Sequence, residues 1–368
     1  MALRQIPVRM HSKFTARLAG ASLAAACLLT VTAAARNESW TDTGGTRFKG
    51  EPIEVLGPFA LFRTSSWSGR LVLLHLLRPE DCVRFYQATR ARPARAADWS
   101  QARGDLTQEL FGNVKRLAGA RLVRADLKGR PEPEFLILFF ADQGISKSWD
   151  MVGSPAAELY ASLQQKYPGM VEAVFWAPRN QVYEQENMVA SMKMPWLAVD
   201  NSARLGLVHL RDLAPAQDFG MKVVSRDGVP VLVSGAENPA AIRKVFNDLD
   251  GLLALMQPDD LQSRKDRAWY LQAIQPVAHA NDRAAPVLVG DPLKADALKR
   301  AGIEHLDAVI RVAASGRAVR VSFPNGAKDL KPEMAGPIGD ALMEGVFVPA
   351  VDHGRFVDGD CEYHFGPR

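Results

Sequence analysis

Residue types that could do chemistry stand first in the loop that follows the unbroken apolar run Phe135–Ala141, where Ser146, Lys147 and Ser148 are among the polar side chains. Such a run reads as a strand covered on both faces of a sheet. The loop at the carboxyl end of such a strand is where an α/β sheet usually gathers its reactive groups. A serine hydroxyl there becomes a nucleophile only beside a base, and no histidine lies near Ser146 or Ser148 in sequence. The loop also lacks cysteine and a glycine-rich phosphate cradle, so no catalytic or cofactor-binding residue is assigned to it, and no cofactor is expected. Enzymatic activity is left open, with a non-enzyme preferred. The remaining candidates are at the end of the chain. In the strand expected over Arg355–Phe365, Cys361 and Tyr363 share one face while Glu362 and His364 share the other. A Cys–His metal site within that strand is therefore geometrically poor. His353 and His364 alone are too few ligands for zinc, so no metal is expected.

Charge and cysteine usage depend on how the N-terminus is read. Arg4, Arg9, Lys13 and Arg17 precede an apolar run from Leu18 to Ala35 that contains no acid and ends in small residues. This pattern describes an export signal over residues 1–35, cleaved near Ala35. It places the mature chain in the periplasm or outside a Gram-negative-type bacterium. A lipoprotein cut at Ala26-Cys27 and an uncleaved anchor of about 18 apolar residues are the competing readings, and only the anchor would bring membrane contact. The whole chain of 368 residues carries 45 basic and 41 acidic residues, for a net charge of +4. Without the four basic residues of 1–35 the two counts are equal, so clustered charge for nucleic acid is not expected. Cleavage also removes Cys27. Cys82 and Cys361 remain, read as two free buried thiols in preference to a disulfide.

Turn chemistry and periodicity divide the rest of the chain. Residues 36–90 read as short strands over Arg47–Leu56, Phe59–Thr64 and Leu71–Leu76, with a helical turn ending near Phe85-Tyr86. Residues 91–130 read as a linker with a short helix over Leu106–Leu117, its Arg90-Ala-Arg-Pro-Ala-Arg95 run a solvated tether. Residues 131–256 follow the order strand, helix, strand, helix, hairpin, helix. There Ser154-Pro155 is expected to start the first helix, Asp227-Gly228 to turn the hairpin and Asn238-Pro239 to open a helix through Leu255. Residues 257–290 form a connecting helical segment, with Trp269, Tyr270 and Leu271 packing on the central domain and His279 at a cap or the surface. Residues 291–368 make a last α+β unit.

Three resemblances attach to these units. Trp40-Thr-Asp42, the Ser66–Gly69 turn and the Leu77-x-x-x-Asp81 helix start are similar to the small Src-homology-type barrel called Sla homology domain one. Phe139-Phe-Ala141, Pro155, Tyr160, Val174-Phe175 and Lys193-Met-Pro-Trp-Leu-Ala198 resemble the nucleoredoxin and tryparedoxin branch of thioredoxin-like proteins. Phe347-Val-Pro-Ala350 with Gly354-Arg-Phe-Val357 resembles the C-terminal domain of TonB-type proteins. Together they imply an α/β architecture, with a central thioredoxin-like domain between an N-terminal small β-barrel and a C-terminal α+β domain. That central family carries Trp-Cys-x-x-Cys where this chain has Gly144–Trp149, so Ile145 stands for the attacking cysteine and Ser148 for the resolving one. Pro230 resembles the family's cis-proline. The alternative alignment, which is preferred, puts that slot nearer Phe219. The expectation is an exported, redox-inactive scaffold that binds other proteins by strand pairing or in a peptide groove. The alternative is a thiol-disulfide oxidoreductase or chaperone-like helper of the same superfamily.

Overall fold

The computed structural model describes residues 38–66, 68–141, 146–215, 219–234, 238–257, 260–324 and 330–366, with the side chains of 146–154 outside the description. Its organising feature is a seven-stranded sheet. Strands β6 (Val114–Ala118), β7 (Arg121–Arg124), β8 (Phe135–Ala141), β9 (Val171–Trp176), β10 (Leu197–Val199), β11 (Phe219–Ser225) and β12 (Pro230–Ser234) lie in the order β12-β11-β8-β9-β10-β6-β7. Strand β8 is parallel to β9 and antiparallel to β11, and β11–β12 form a hairpin. Gly228 in its turn has φ of +74°, a conformation that glycine adopts at no steric cost.

The apolar run of β8 is buried on both faces, as its composition predicts. Phe135, Ile137 and Phe139 enter one core cluster, and Leu136, Leu138 and Phe140 the other. On the first face lie helices α3 (Ser146–Lys166) and α6 (Pro239–Leu255); on the second lie the short helices α2 (Asp105–Leu110) and α5 (Val208–Leu213). Helix α6 begins where expected, the Asn238 side chain accepting from the Ala241 N–H at 2.8 Å. Helix α3 differs from expectation. It starts at Ser146 and runs through Pro155, so Ser154 is not its N-cap. A proline inside a helix forfeits one backbone hydrogen bond, which the packing of Ala156, Tyr160, Leu163 and Tyr167 offsets.

Residues 91–130 are not a plain linker. The hairpin β6–β7 extends the central sheet beyond β10, which fixes the segment by main-chain pairing that no composition rule reveals. The basic run is not a free tether either. Arg92 lies 3.5 Å from Asp227, and Arg95 lies 3.7 Å from Glu134.

The N-terminal unit consists of a hairpin, β1 (Ser39–Thr41) with β2 (Arg47–Lys49), and a meander of β3 (Glu51–Leu56), β4 (Phe59–Ser65) and β5 (Ser68–Leu73). Helix α1 spans Pro79–Thr89, longer than the single turn expected, because Asp81, Cys82, Phe85 and Thr89 are all buried at helical spacing. Strand β4 is shared between two cores. Phe59 and Leu61 join the central cluster, while Ala60 and Phe62 join one built on Trp40, Leu77 and Phe85. Helix α7 (Leu261–Ala278) was expected on the central domain; instead Tyr270 and Ile274 enter the Trp40 cluster, and Trp269 is exposed.

In the C-terminal unit, β15 (Leu306–Val312) is flanked by β16 (Ala318–Ser322) and β20 (Gly359–Phe365), covered by α8 (Ala295–Arg300) and α9 (Pro332–Met343). The expected final strand is broken. Residues 355–357 form β19 in a second small sheet, with β13 (Arg283–Ala284) and β18 (Ala350–Asp352), before β20 starts at Gly359. Strands β14 (Val287–Leu288) and β17 (Phe347–Val348) pair beside them. Among the described residues no helix is long and apolar enough to cross a membrane.

Candidate functional site

The carboxyl end of the central sheet is where sequence places the reactive slot. Ile145 lies outside the described residues. Ser146, Lys147 and Ser148 form the first turn of α3, their side chains outside the description. Ala141, the last residue of β8, pairs with Phe219, the first of β11. Pro230 pairs with Val224 near the opposite end of the sheet. Phe219, and not Pro230, is therefore the residue that register brings beside the slot.

Neither thiol among the described residues belongs to a cluster at that end of the sheet. Cys82 is free and buried in the Trp40 cluster, its Sγ 3.8 Å from the Leu74 carbonyl. Burial, with Asp81 and Glu80 adding to it, pushes the Cys82 thiol up to about 12. Cys361 is free and buried in the C-terminal cluster, and burial raises it too. A thiolate is the nucleophile in disulfide chemistry, and both environments disfavour it.

What this end does hold is a polar network invisible to sequence reading. The Trp176 indole donates to Asn201 Oδ1 at 2.7 Å, and Asn201 Nδ2 donates to the carbonyls of Ala177 and Asn180. Gln185, on helix α4 (Val182–Ser191), accepts from the Ala177 N–H at 2.8 Å and donates to the Val199 carbonyl at 2.5 Å. These bonds fix the loop after β9 against β10 by satisfying buried main-chain groups. They pin geometry and offer no nucleophile.

The strongest electrostatic feature is at the opposite end. Arg226, buried just before the hairpin turn, donates through Nε to Glu54 of β3 at 2.9 Å and through Nη2 to the Pro93 carbonyl at 2.8 Å. Its Nη1 lies 3.6 Å from Glu132. Glu132 is fully buried and accepts from the N–H groups of Ala96, Arg103 and Gly104 and from the Thr107 hydroxyl. A Cβ on Gly104 would stand 2.6 Å from the Arg226 carbonyl, so only glycine allows this approach. One arginine thus ties the N-terminal sheet, the segment 91–130 and the central hairpin together. Only long-range folding assembles it, and no local motif signals it.

The two glutamates titrate in opposite directions. Burial, reinforced by Asp227 and Glu134 and opposed by Arg226, pushes Glu54 up to about 7. Burial also acts to raise Glu132, but the Thr107 hydroxyl and the three main-chain donors outweigh it, so Glu132 lies below the usual range. A raised carboxylate contributes stability below its unfolded pKa and loses it as pH rises through the folded value. Stability is therefore expected to fall as pH rises from 4.5 to about 7 on account of Glu54. Glu54→Gln should flatten that slope in chemical-denaturation series across pH, and an unchanged slope would contradict the assignment.

The described histidines that face carboxylates do so pairwise: His75 with Asp266, His209 with Glu109, His279 with Asp282, His353 with Asp352 and His364 with Asp307. His353 and His364 thus have separate partners. Among the described residues there is no group of three or more His, Cys, Asp or Glu side chains suited to a metal.

No family model matches the chain, and no curated protein matches it. Solved structures do align with part of it. The bacterioferritin comigratory protein of Xanthomonas campestris, studied for alkyl peroxide reduction, is 13% identical with a TM-score of 0.29, over 42% of this chain and 98% of that one. An uncharacterized thioredoxin-like protein from Porphyromonas gingivalis is 12% identical with a TM-score of 0.28, over 40% and 94%. Enterococcus faecalis AhpC is 15% identical with a TM-score of 0.26, over 38% and 88%. Scores this low carry no argument about chemistry. The central region is a mixed α/β fold whose strand order, β12-β11-β8-β9, with β8 parallel to β9 and antiparallel to β11, is thioredoxin-like.

Proposed function

We propose that this chain is a redox-inactive platform for binding other proteins, built on a thioredoxin-like sheet and working outside the cytoplasm after export. The observation that carries the reading is the placement of sulfur. Cys82 and Cys361 are buried in hydrophobic clusters separate from the sheet's carboxyl end, and the loop from Gln143 to Trp149 contains no cysteine. Thiol exchange needs an accessible, activated thiolate. Without one, the fold offers surfaces and sheet edges. The likeness of residues 36–90 to a small barrel, and of 291–368 to a TonB-type C-terminal domain, supports the same reading, since such units serve interaction. Export is supported by the basic and apolar pattern of residues 1–35.

A disulfide-reduction assay and a peroxide-consumption assay on residues 36–368 test this. No turnover above buffer is expected with a dithiol reductant, and both thiols should titrate only after denaturation. Turnover abolished by Cys82→Ala or Cys361→Ala would overturn the proposal.

A further inference from the structure

The hairpin β6–β7 closes one side of the central sheet, and nothing among the described residues pairs with β7 on its outer side. The Ala125 N–H donates to the Val114 carbonyl at 3.0 Å, and the register runs Lys115↔Arg124, Arg116↔Val123, Leu117↔Leu122 and Ala118↔Arg121. Antiparallel pairing alternates. With residues 125, 123 and 121 bonded inward, the N–H and C=O groups of Leu122 and Arg124 face outward.

This open edge is strongly basic. Arg116, Arg121 and Arg124 are exposed, and none of them has an acidic partner among the described residues. Lys115, by contrast, is held by Glu186 and Asp200 at 2.8 and 3.3 Å. Arg116 and Arg121 lie on one face with Val123, which is 41% exposed. Arg124 lies on the other face with Leu122, which packs against the core. Like charges directly opposite are destabilising in a sheet, and opposite charges are favourable. Two copies of β7 side by side would gather Arg121 and Arg124 of both strands along one seam with no acid to neutralise them. An acidic strand meets the same edge with its charges matched.

We propose that β7 is a docking edge for an extended acidic segment of a partner protein, added as an eighth strand. The register specifies its pattern. Acidic residues face Arg124 and Arg121, and an apolar residue between them faces Val123, giving a Glu-Val-x-Glu core. The main-chain bonds to Leu122 and Arg124 supply directionality, and the arginines select the partner. This deepens the platform reading and rests on it. Its failure is separable, because redox turnover is read in a different assay.

The test uses a fluorescein-labelled Thr-Glu-Val-Thr-Glu-Thr peptide and residues 36–368, by fluorescence anisotropy at low and high salt. Saturable binding that weakens with salt is expected. R121E/R124E, with its unfolding midpoint unchanged, should weaken it about tenfold or more, and so should N-methylation of the peptide amides that face β7. Hydrogen exchange on the unaltered chain should show the Leu122 and Arg124 amides newly protected when peptide is added, whether or not the variant folds. Absence of that protection overturns the proposal, as does equal binding of the N-methylated peptide, equal binding by the charge-reversed variant, or binding to phosphatidylglycerol vesicles in place of the peptide.

Discussion

Glu132→Ala is expected to destabilise the chain by about 3–5 kcal/mol, the scale of a broken buried charge network. Glu132 is the single acceptor for three main-chain N–H groups, those of Ala96, Arg103 and Gly104, at 2.9, 3.0 and 2.8 Å, and it also accepts from the Thr107 hydroxyl. An alanine methyl accepts none of them. Each orphaned buried donor costs about 1–3 kcal/mol, and Arg226 loses one of its counter-charges. Partial entry of water keeps the total below the simple sum. Glu132→Gln retains one acceptor oxygen but turns an amide toward donors, so it should fall between the alanine variant and the parent. Urea unfolding with an unchanged slope measures both. Values within about 1 kcal/mol of the parent, ordinary for a surface change, would contradict this account. The pH dependence gives a second check. A depressed carboxylate contributes stability above its unfolded pKa and loses it as pH falls through its folded value. The gap between parent and variant should therefore narrow as pH drops below the usual carboxylate range.

A chain that begins at residue 91 is expected to be insoluble or largely unfolded, although its central sheet is intact in sequence. Ile53, Leu56, Phe59 and Leu61 of the N-terminal meander belong to the same buried cluster as Phe139, Val223 and Phe246. Burying each such side chain is worth about 1.5–3 kcal/mol. Four of them approach the entire stability of a typical domain, about 5–15 kcal/mol. Removing residues 36–90 also strips Glu54 from Arg226 and leaves that guanidinium half-compensated. Size-exclusion chromatography and far-UV circular dichroism of residues 91–368 decide the matter. A monomeric, cooperatively unfolding product would show that the N-terminal unit is an independent module.

The sequence was legible where the cause is local. The alternate faces of Phe135–Ala141, the Asp227-Gly228 turn and the Asn238-Pro239 helix start all follow from side-chain period, φ preference and capping. The same local logic failed at Pro155. The signal Ser154-Pro155 is a sound helix start by itself, but packing on the central core carries the helix through it. The alternation of Cys361 and Tyr363 against Glu362 and His364 also held, because period two is a property of any strand. The Arg226 network and the Trp176–Asn201–Gln185 network were not legible. Their members are separated by up to 172 residues, and no periodicity marks an acceptor that serves a distant main chain.

What the residues alone determined is chemical composition at each place: a loop without sulfur, apolar strands, basic residues in the β6–β7 segment. What only the tertiary structure decided is which of these meet. It put Cys82 and Cys361 into apolar clusters, shared the strand Phe59–Ser65 between two cores, and left Arg121–Arg124 at an edge unpaired among the described residues. The physical reason is that turns and faces are set by neighbours along the chain, whereas burial and strand pairing are set by segments that loop closure brings together from afar.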